Sequence, residues 1–399
     1  MSVTSVGCSV VHSAVCAVVR PLIKYITTGG ARDEPARLGT TPADYARLGI
    51  TREIQIWEDA LRTTGDSGSY EWWYADGEFE DGSKVVVVFF TKNRFDVPGP
   101  AHPTVIIDID LANGESLYRT HHGPKGSVIQ ASKRICDVRV DGCHIRAVGD
   151  TYEVVYDDGV VRYEATMKSL LPAHRPETGH SLFGPRGDRF FAWFIAQPLA
   201  EVHATLTIEG REHALTGKGY HDHNWGNVGI QEVMNHWYWG RAKVGPYHLI
   251  FADIIAEERY RYTRMPALYI ARDGAAIPIT PGKIHVRRSH THIHPETGKF
   301  FDDVIVWSYT SDDGTEYEIE IDRQADLTVA SLLDDLPPLQ RMLAQLACAD
   351  PTYIRATGDV FVTVRYVDGS TEAYRDKGIW EQMFLGSEEE PPPIYTPPV

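Results

Sequence analysis

Residues Gly219–Trp225 read Gly-Tyr-His-Asp-His-Asn-Trp and form the most informative stretch of the chain. Imidazole, carboxylate, carboxamide and indole groups fall within five consecutive positions. Burying such groups costs free energy unless each finds a hydrogen-bond partner. The cluster is therefore a site or the rim of one. Two further aromatic runs carry polar groups, Tyr70-Glu71-Trp72-Trp73-Tyr74 upstream and His236-Trp237-Tyr238-Trp239-Gly240-Arg241 downstream. Together the three runs hold five of the nine tryptophans, which points to one shared aromatic cavity.

The downstream run opens a hairpin, His236–Lys243, Val244-Gly245-Pro246, Tyr247–Ile254. A tight turn sets Lys243 opposite Tyr247 and Trp237 opposite Asp253. Alternation puts Trp237, Trp239 and Arg241 on one face, matched by Tyr247, Leu249, Phe251 and Asp253. If that face points inward, Asp253 is desolvated and its pKa rises, favouring the protonated acid near neutral pH. Such an acid beside tryptophan faces can protonate an alkene or carbonyl and stabilise the resulting cation. The plainer reading pairs Asp253 with a nearby arginine or leaves it capping the strand edge. Glu71 shares a face with Trp73, where a buried salt bridge is favoured over catalysis.

His221 and His223 have a spacing that lets both meet one metal, as do His290, His292 and His294. No acidic or cysteine third ligand stands at a recognised spacing, so no metal is expected. His223 is expected to orient the acid or the substrate, and His290–His294 to be an exposed strand. The chain has no GxxxxGK[ST] loop, no dinucleotide-binding glycine fingerprint and no GxSxG elbow. The expected chemistry is cofactor-free: acid–base work, cyclisation or ligand binding.

These residues must be positioned by strands. Val85–Phe90 is a continuous apolar run. Arg134–Val140, Cys143–Val148, Tyr152–Tyr156 and Val160–Thr166 are joined by Asp-Gly and Gly-Asp turns at regular spacing. Phe190–Ala196, His203–Glu209 and His213–Gly219 continue the pattern, and a similar series follows the central cluster. Two antiparallel barrels or sandwiches are predicted. Leu327–Leu346 has helical apolar spacing, broken at Pro337-Pro338. Leu171–Arg189, rich in proline and glycine, is a lid or a disordered insertion. The Glu- and Pro-rich 388–399 stretch is a tail.

The 399 residues suffice for two domains, and 43% hydrophobic with 24% charged residues suits a soluble globular chain. A formal net charge of −16 argues against nucleic acid and anionic membranes as partners. Of five cysteines, only Cys136 and Cys143 are close in the body of the chain. A hairpin at Asp141-Gly142 sets Cys143 opposite Val140 and Cys136 opposite Ala147, a poor placement for a disulfide. A reducing, cytoplasmic setting fits. The apolar N-terminal stretch has its basic residues, Arg20 and Lys24, on the wrong side for a secretory signal. An N-terminal helix or arm is favoured there over a weak membrane hook.

Glu71-Trp72-Trp73-Tyr74, the Gly-Tyr-His-Asp-His-Asn-Trp-Gly run at 219–226, and Trp237-Tyr238-Trp239-Gly240-Arg241 resemble the carotenoid hydratase (hydroxyneurosporene synthase) and AttH-like family. That family also includes natural-product Diels–Alderases. The resemblance covers roughly Ile54 to Leu385 and implies an all-β chain of two lipocalin-like antiparallel β-barrel domains, with an apolar pocket between them. With the helix above, the expected layout is an arm over 1–50, barrels over 51–228 and 229–386, and a tail over 387–399. Residues implicated in the hydratases correspond to His223, Trp225, Phe251 and Asp253, the aspartate being the proton donor. Phe251 replaces a tyrosine that could orient water or the acid, so cyclisation, dehydration and pericyclic chemistry stay open. The resulting expectation is a cofactor-independent hydratase or cyclase for a large apolar unsaturated isoprenoid or polyketide, acting as monomer or homodimer. Asp253 and His223 would be catalytic. Glu71, Trp73, Tyr220, Trp225, Trp237, Trp239, Arg241 and Phe251 would line the substrate. A pericyclase for [4+2] ring closure and a non-catalytic polyene carrier are the alternatives.

Overall fold

The computed structural model describes residues 34–64, 66–124, 126–333, 350–385 and 391–396. Two compact units divide the chain. One holds 37–232 with 269–278, and the other holds 233–268 with 279 onward. The strands form two antiparallel sheets. The N-terminal arm expected over 1–50 is described only from residue 34. Its last part is a short strand, Arg37–Leu38, and a helix, Pro42–Leu48. Thr41 caps that helix by accepting a hydrogen bond from the Asp44 N–H at 3.2 Å, and Gly49 ends it at φ 67°.

The first sheet runs in the order Ser116–His122, Thr104–Asp110, Lys84–Phe90, Tyr70–Phe79, Arg211–Gly226, Arg189–Ile208, Val161–Ser169, Thr151–Asp157, Cys143–Val148, Asp137–Val140, Gln130–Ala131. It curls on itself. His121 on the first of these strands reaches Asp141, in a turn near the far edge, at 3.2 Å, and Arg119 pairs with Asp158. The enclosed core joins Val105 and Ile107 to Val138, Ile145 and Val154, all with no exposed surface. Burying each such side chain stabilises by roughly 1.5–3 kcal/mol. Cys136 and Cys143 are both free and buried, with Val140 paired to Cys143 as the hairpin predicts.

The central pair is Tyr70–Phe79 against Arg211–Gly226, in a register that sets His223 opposite Trp73 and Asp222 opposite Tyr74. The strands approach closely at Gly219, where a Cβ would lie 2.2 Å from the Asp76 carbonyl oxygen and 2.7 Å from a Val202 methyl. The long Arg189–Ile208 strand breaks register around Gln197 and Pro198. A proline has no N–H for the ladder, so a bulge is where it can sit.

Leu171–Arg189 is not a lid. Its His180–Phe183 stretch is a strand, paired to both Arg37–Leu38 and Arg189–Ile208. Arg175 in the same segment is buried against Glu58 at 2.6 Å, and it also donates to the Thr51 and Glu177 carbonyls.

The second sheet runs Ala275–Ile277, Arg264–Arg272, Tyr247–Ala256, Met234–Val244, Thr371–Phe384, Thr352–Arg365, Glu316–Ser331, Phe300–Thr310, Ile284–Ile293. It too curls, because Trp307 donates to the Ala252 carbonyl at 3.1 Å and Arg264 to the Val286 carbonyl. The hairpin register differs by one residue from expectation. Val244 pairs with Tyr247 across a two-residue Gly245-Pro246 turn, and Gly245 takes φ 57°. Asp253 therefore faces Tyr238, not Trp237. Of the expected Leu327–Leu346 helix, Leu327–Ser331 is strand, and 334–349 lie outside the described residues. Among the described residues no helix is long and apolar enough to cross a membrane.

Removing one partner of a buried ion pair leaves the other uncompensated, at a cost of about 3–5 kcal/mol. Arg175→Met is expected to lower the unfolding free energy in urea by that order. Adding Glu58→Gln should restore part of it. Simple additivity of the two losses would show that the pair does not hold this segment.

Candidate functional site

Strand alternation divides the 219–226 run between two faces of one sheet. His221, His223 and Trp225 point into the curled core. Tyr220, Asp222 and Asn224 point to the other side. The divided run builds two separate polar clusters, both within the first unit.

On the core face, Asp59 is the hub. Its carboxylate lies 3.1 Å from His221 Nε2, accepts from the Tyr152 hydroxyl at 2.7 Å, and stands 3.5 Å from His223 Nδ1. His221 Nδ1 sits 2.7 Å from the Tyr74 carbonyl. His223 Nε2 sits 2.8 Å from Glu71. Glu71 is otherwise held by the Arg62 and Thr63 N–H groups at 2.6 and 2.8 Å and by the Thr63 hydroxyl. Trp73 stacks on His223 at 4.6 Å, and Trp225 packs against it, tilted, at 4.8 Å. Asp59, Cys136 and His221 bring metal-ligand-type atoms within 4.8 Å of one another. Burial opposes charging His221, but the Asp59 carboxylate and the Tyr74 carbonyl outweigh it and raise its pKa. Burial likewise pushes Asp59 up, and the His221 and His223 charges more than reverse this. Burial pushes the Cys136 thiol well up, with Asp59 adding to the effect.

On the opposite face, Asp222 is received by three donors. Trp193 Nε1 and the Tyr220 hydroxyl reach one oxygen at 2.9 and 2.8 Å, and the Asn224 amide reaches the other at 2.9 Å. Register places Trp72 and Tyr74 on the same face, both half-buried. Burial pushes the Asp222 carboxyl up to about 6, although its donors and His221 pull the other way. Asp222 keeps 8% of its surface exposed, whereas His221 and His223 keep none.

In the second unit, Asp253 is not the lone acid among tryptophans that the expected register implied. Arg288 Nη2 reaches one of its oxygens at 2.6 Å, and Arg264 Nε the other at 3.1 Å. Arg288 also donates to His236 Nε2 at 2.7 Å, and its guanidinium covers the Tyr238 ring at 4.8 Å. This is the arginine-paired arrangement of the plainer reading. Burial, then Arg288 and Arg264, press the His236 pKa well down. Phe251 is a core side chain against Trp307 at 4.8 Å. Trp237 and Trp239 are half-buried on the other face of this sheet, Trp237 bonded to Glu381 at 3.1 Å and Trp239 under the Arg241 guanidinium at 5.7 Å. His294 is buried and paired with Asp326 at 2.9 Å, unlike the exposed strand end expected.

The structure thus brings Glu71, Trp73, His223 and Trp225 together, and sets Tyr220 on the reverse of the same sheet. It places Asp253, Phe251, Trp237, Trp239 and Arg241 in the second unit. Asp59, Tyr152, Cys136 and Asp222, which build these clusters, were not among the expected site residues. No spacing rule links Asp59 to a histidine 162 positions away. Asp222 lay inside the motif, and only the face assignment could have separated it from its neighbours.

The folded-state pKa of Asp222, about 6, exceeds the ordinary 3.8. The folded chain then binds the proton more tightly than the unfolded chain, so this group's contribution to stability falls as pH rises from about 4 to about 6. At about 1.4 kcal/mol per unit the fall is on the order of 3 kcal/mol. Denaturation across that range should show this component in the natural chain and not in Asp222→Asn. Parallel pH profiles for the two would refute the shift.

Comparison with known proteins accords with this architecture. The chain is 26% identical over 226 residues to the quinolone epoxide rearrangement protein penF of Penicillium thymicola, covering 51% of this chain and 60% of that one. It is 29% identical over 207 residues to the hydroxyneurosporene dehydrogenase of Chlorobaculum tepidum, covering 44% and 54%. The chain therefore spans little more than half the length of these relatives. The crystal structure of CghA with Sch210972 superposes with a TM-score of 0.54 at 16% identity, covering 80% of this chain and 89% of that one, and shows the shared fold. The Diels-Alderase-like family model matches residues 57–321, more than half of the sequence, and the chain belongs to that family.

Proposed function

We propose that this protein catalyses acid-assisted rearrangement, ring closure or hydration of a large apolar unsaturated small molecule, with Asp222 handling the proton. The observation that carries the reading is the Asp222 carboxyl itself. It is buried among aromatic side chains, held by three donors, and set on the face that retains some exposure. Its donors fix its orientation, and low polarity around it strengthens its interaction with a developing charge. Relatives named for epoxide rearrangement fit a proton-initiated reaction.

The proton leaves the carboxyl oxygen and bonds to an alkene carbon, or to an epoxide or carbonyl oxygen. Positive charge then develops on the substrate, where the rings of Trp72 and Trp193 on that face are suited to stabilise it. An internal double bond or hydroxyl, or a water, captures the cation. The proton released returns to the Asp222 carboxylate. No electrons are gained or lost, so the cycle closes on the carboxyl alone. Asp253, held between two guanidiniums, has the surroundings of a structural ion pair.

A quinolone epoxide and a set of apolar polyenes serve as probes. Product is read by chromatography with mass detection, as an isomer of unchanged mass or as a species one water heavier. Asp222→Asn is expected to cut turnover by about a hundredfold or more with the fold intact, and Asp253→Asn to leave turnover within a few fold. Full turnover in Asp222→Asn would leave only shape-driven ring closure, in which the protein folds a polyene into its reactive conformer. Loss in folded Asp253→Asn alone would move the proton to that residue. Tight binding with every probe recovered unchanged would make the protein a carrier.

A further inference from the structure

We propose that Asp59, Cys136 and His221, with His223 as fourth donor, form a closed divalent-metal site inside the first sheet, and that zinc is the ion it suits. This site lies on the opposite face from Asp222 and does not depend on the reaction proposed above.

The first argument is the direction of the lone pairs. A metal-bound histidine nearly always donates its second ring N–H to a carbonyl or carboxylate, which fixes the tautomer. Both histidines are held in this way. His221 Nδ1 meets the Tyr74 carbonyl at 2.7 Å, which in the neutral ring leaves Nε2 as the lone-pair nitrogen. His223 Nε2 meets Glu71 at 2.8 Å, which leaves Nδ1. Glu71 is already filled by donors from Arg62 and Thr63, so it can act only as an acceptor toward His223. The two lone-pair nitrogens both face Asp59, at 3.1 and 3.5 Å. Lone pairs on nitrogen facing a carboxylate repel unless a proton or a cation lies between them.

The second argument is the unmet need of the same atoms. His223 Nδ1 and Asp59 Oδ1 have no hydrogen-bond partner among the described residues. His223 is fully buried and Asp59 is 2% exposed, so bulk water does not serve them. The third is the donor set. Imidazole, carboxylate and thiol are the zinc ligands of proteins, and bond lengths of roughly 2.0–2.3 Å put tetrahedral donors about 3.3–3.8 Å apart. Asp59, Cys136 and His221 already lie within 4.8 Å of one another. For these three, closure to that separation needs shifts of about an ångström. On binding, the Cys136 S–H bond breaks and sulfur ligates the ion, any proton on His221 Nε2 leaves so that nitrogen can ligate it, and these protons go to solvent. With Cys136, His221 and His223 wholly buried, no position stays open for a substrate, so the ion ties the Ile56–Asp59 turn to the central strand and does not act on substrate. The sequence spacing test missed this set because Asp59 and Cys136 come from two other segments.

The test uses the full chain, freed of any metal-binding tag, with zinc alone and then cobalt alone. Bound metal is counted by mass spectrometry after dialysis, and melting is followed with zinc and with a chelator. About one zinc per chain is expected, with a higher Tm in zinc and a lower one after chelation. Cobalt should give a thiolate-to-metal charge-transfer band that Cys136→Ser abolishes, and His223→Asn should weaken zinc binding at least about tenfold. The natural chain alone decides the matter if a variant fails to fold. Absence of both the cobalt band and the zinc-dependent Tm shift overturns the site. Equal zinc binding by folded Cys136→Ser and the natural chain overturns it as well, because the ion then sits elsewhere.

Discussion

The constraint on which the first unit depends is that its central strand is buried on both faces over Gly219–Gly226 while carrying polar residues at most of those positions. Arg211–Gly226 pairs with Tyr70–Phe79 on one side and Arg189–Ile208 on the other, so its backbone is spent on the ladder. Its side chains must find partners above and below the sheet. Those partners come from far away: Asp59 and Glu71 on one face, Trp193 on the other. A buried polar group without such a partner costs about 1–3 kcal/mol, so a fold that kept the strand but displaced these segments would be heavily penalised. The polar residues thus help specify how the 56–63 segment lies against the sheet.

Alternation also explains how one short motif serves two environments. The core face is fully enclosed, with charged and neutral polar atoms locked by backbone carbonyls and N–H groups. The reverse face keeps a little exposure and a ring of aromatic side chains. Chemistry on a small molecule needs the second kind of surface and gains little from the first. A residue-by-residue count of histidines and acids across 219–225 therefore misleads. Neighbours in sequence are on opposite sides of a layer of backbone and share no hydrogen bond across it, although His221 and Asp222 still feel each other's charge.

Much of the fold was legible because period-two patterning and Asp-Gly turns report local physics. The Cys136–Ala147 hairpin came out in its expected register. The Trp237–Asp253 pairing did not, because a turn of two residues and one of three look alike around Val244-Gly245-Pro246. A one-residue slip moves every side chain to the opposite partner face. That slip alone replaced Trp237 by Tyr238 opposite Asp253. The guanidiniums of Arg264 and Arg288 come from strands that join the site only through tertiary closure. Nothing near Asp253 in sequence announces them. Leu327–Ser331 shows the same limit, since apolar spacing that suits a helix was overridden by strand pairing to Thr352–Arg355.

The contrast between Asp222 and Asp253 shows why burial alone does not identify an acid. Both carboxyls are largely removed from water. Asp253 meets two positive charges, Arg264 and Arg288, which pair its charge within the protein. Asp222 is held by neutral donors, a hydroxyl, an indole and an amide, and the nearby His221 is committed to Asp59 on the other side of the sheet. Neutral donors orient a carboxyl without supplying a compensating charge, and the proposed reaction relies on that property. In the proposed reaction a proton held this way would pass to the substrate, whereas displacing the Asp253 carboxylate would leave two buried guanidiniums uncompensated. The distinction rests on the charge of the partners, which only the assembled sheet reveals.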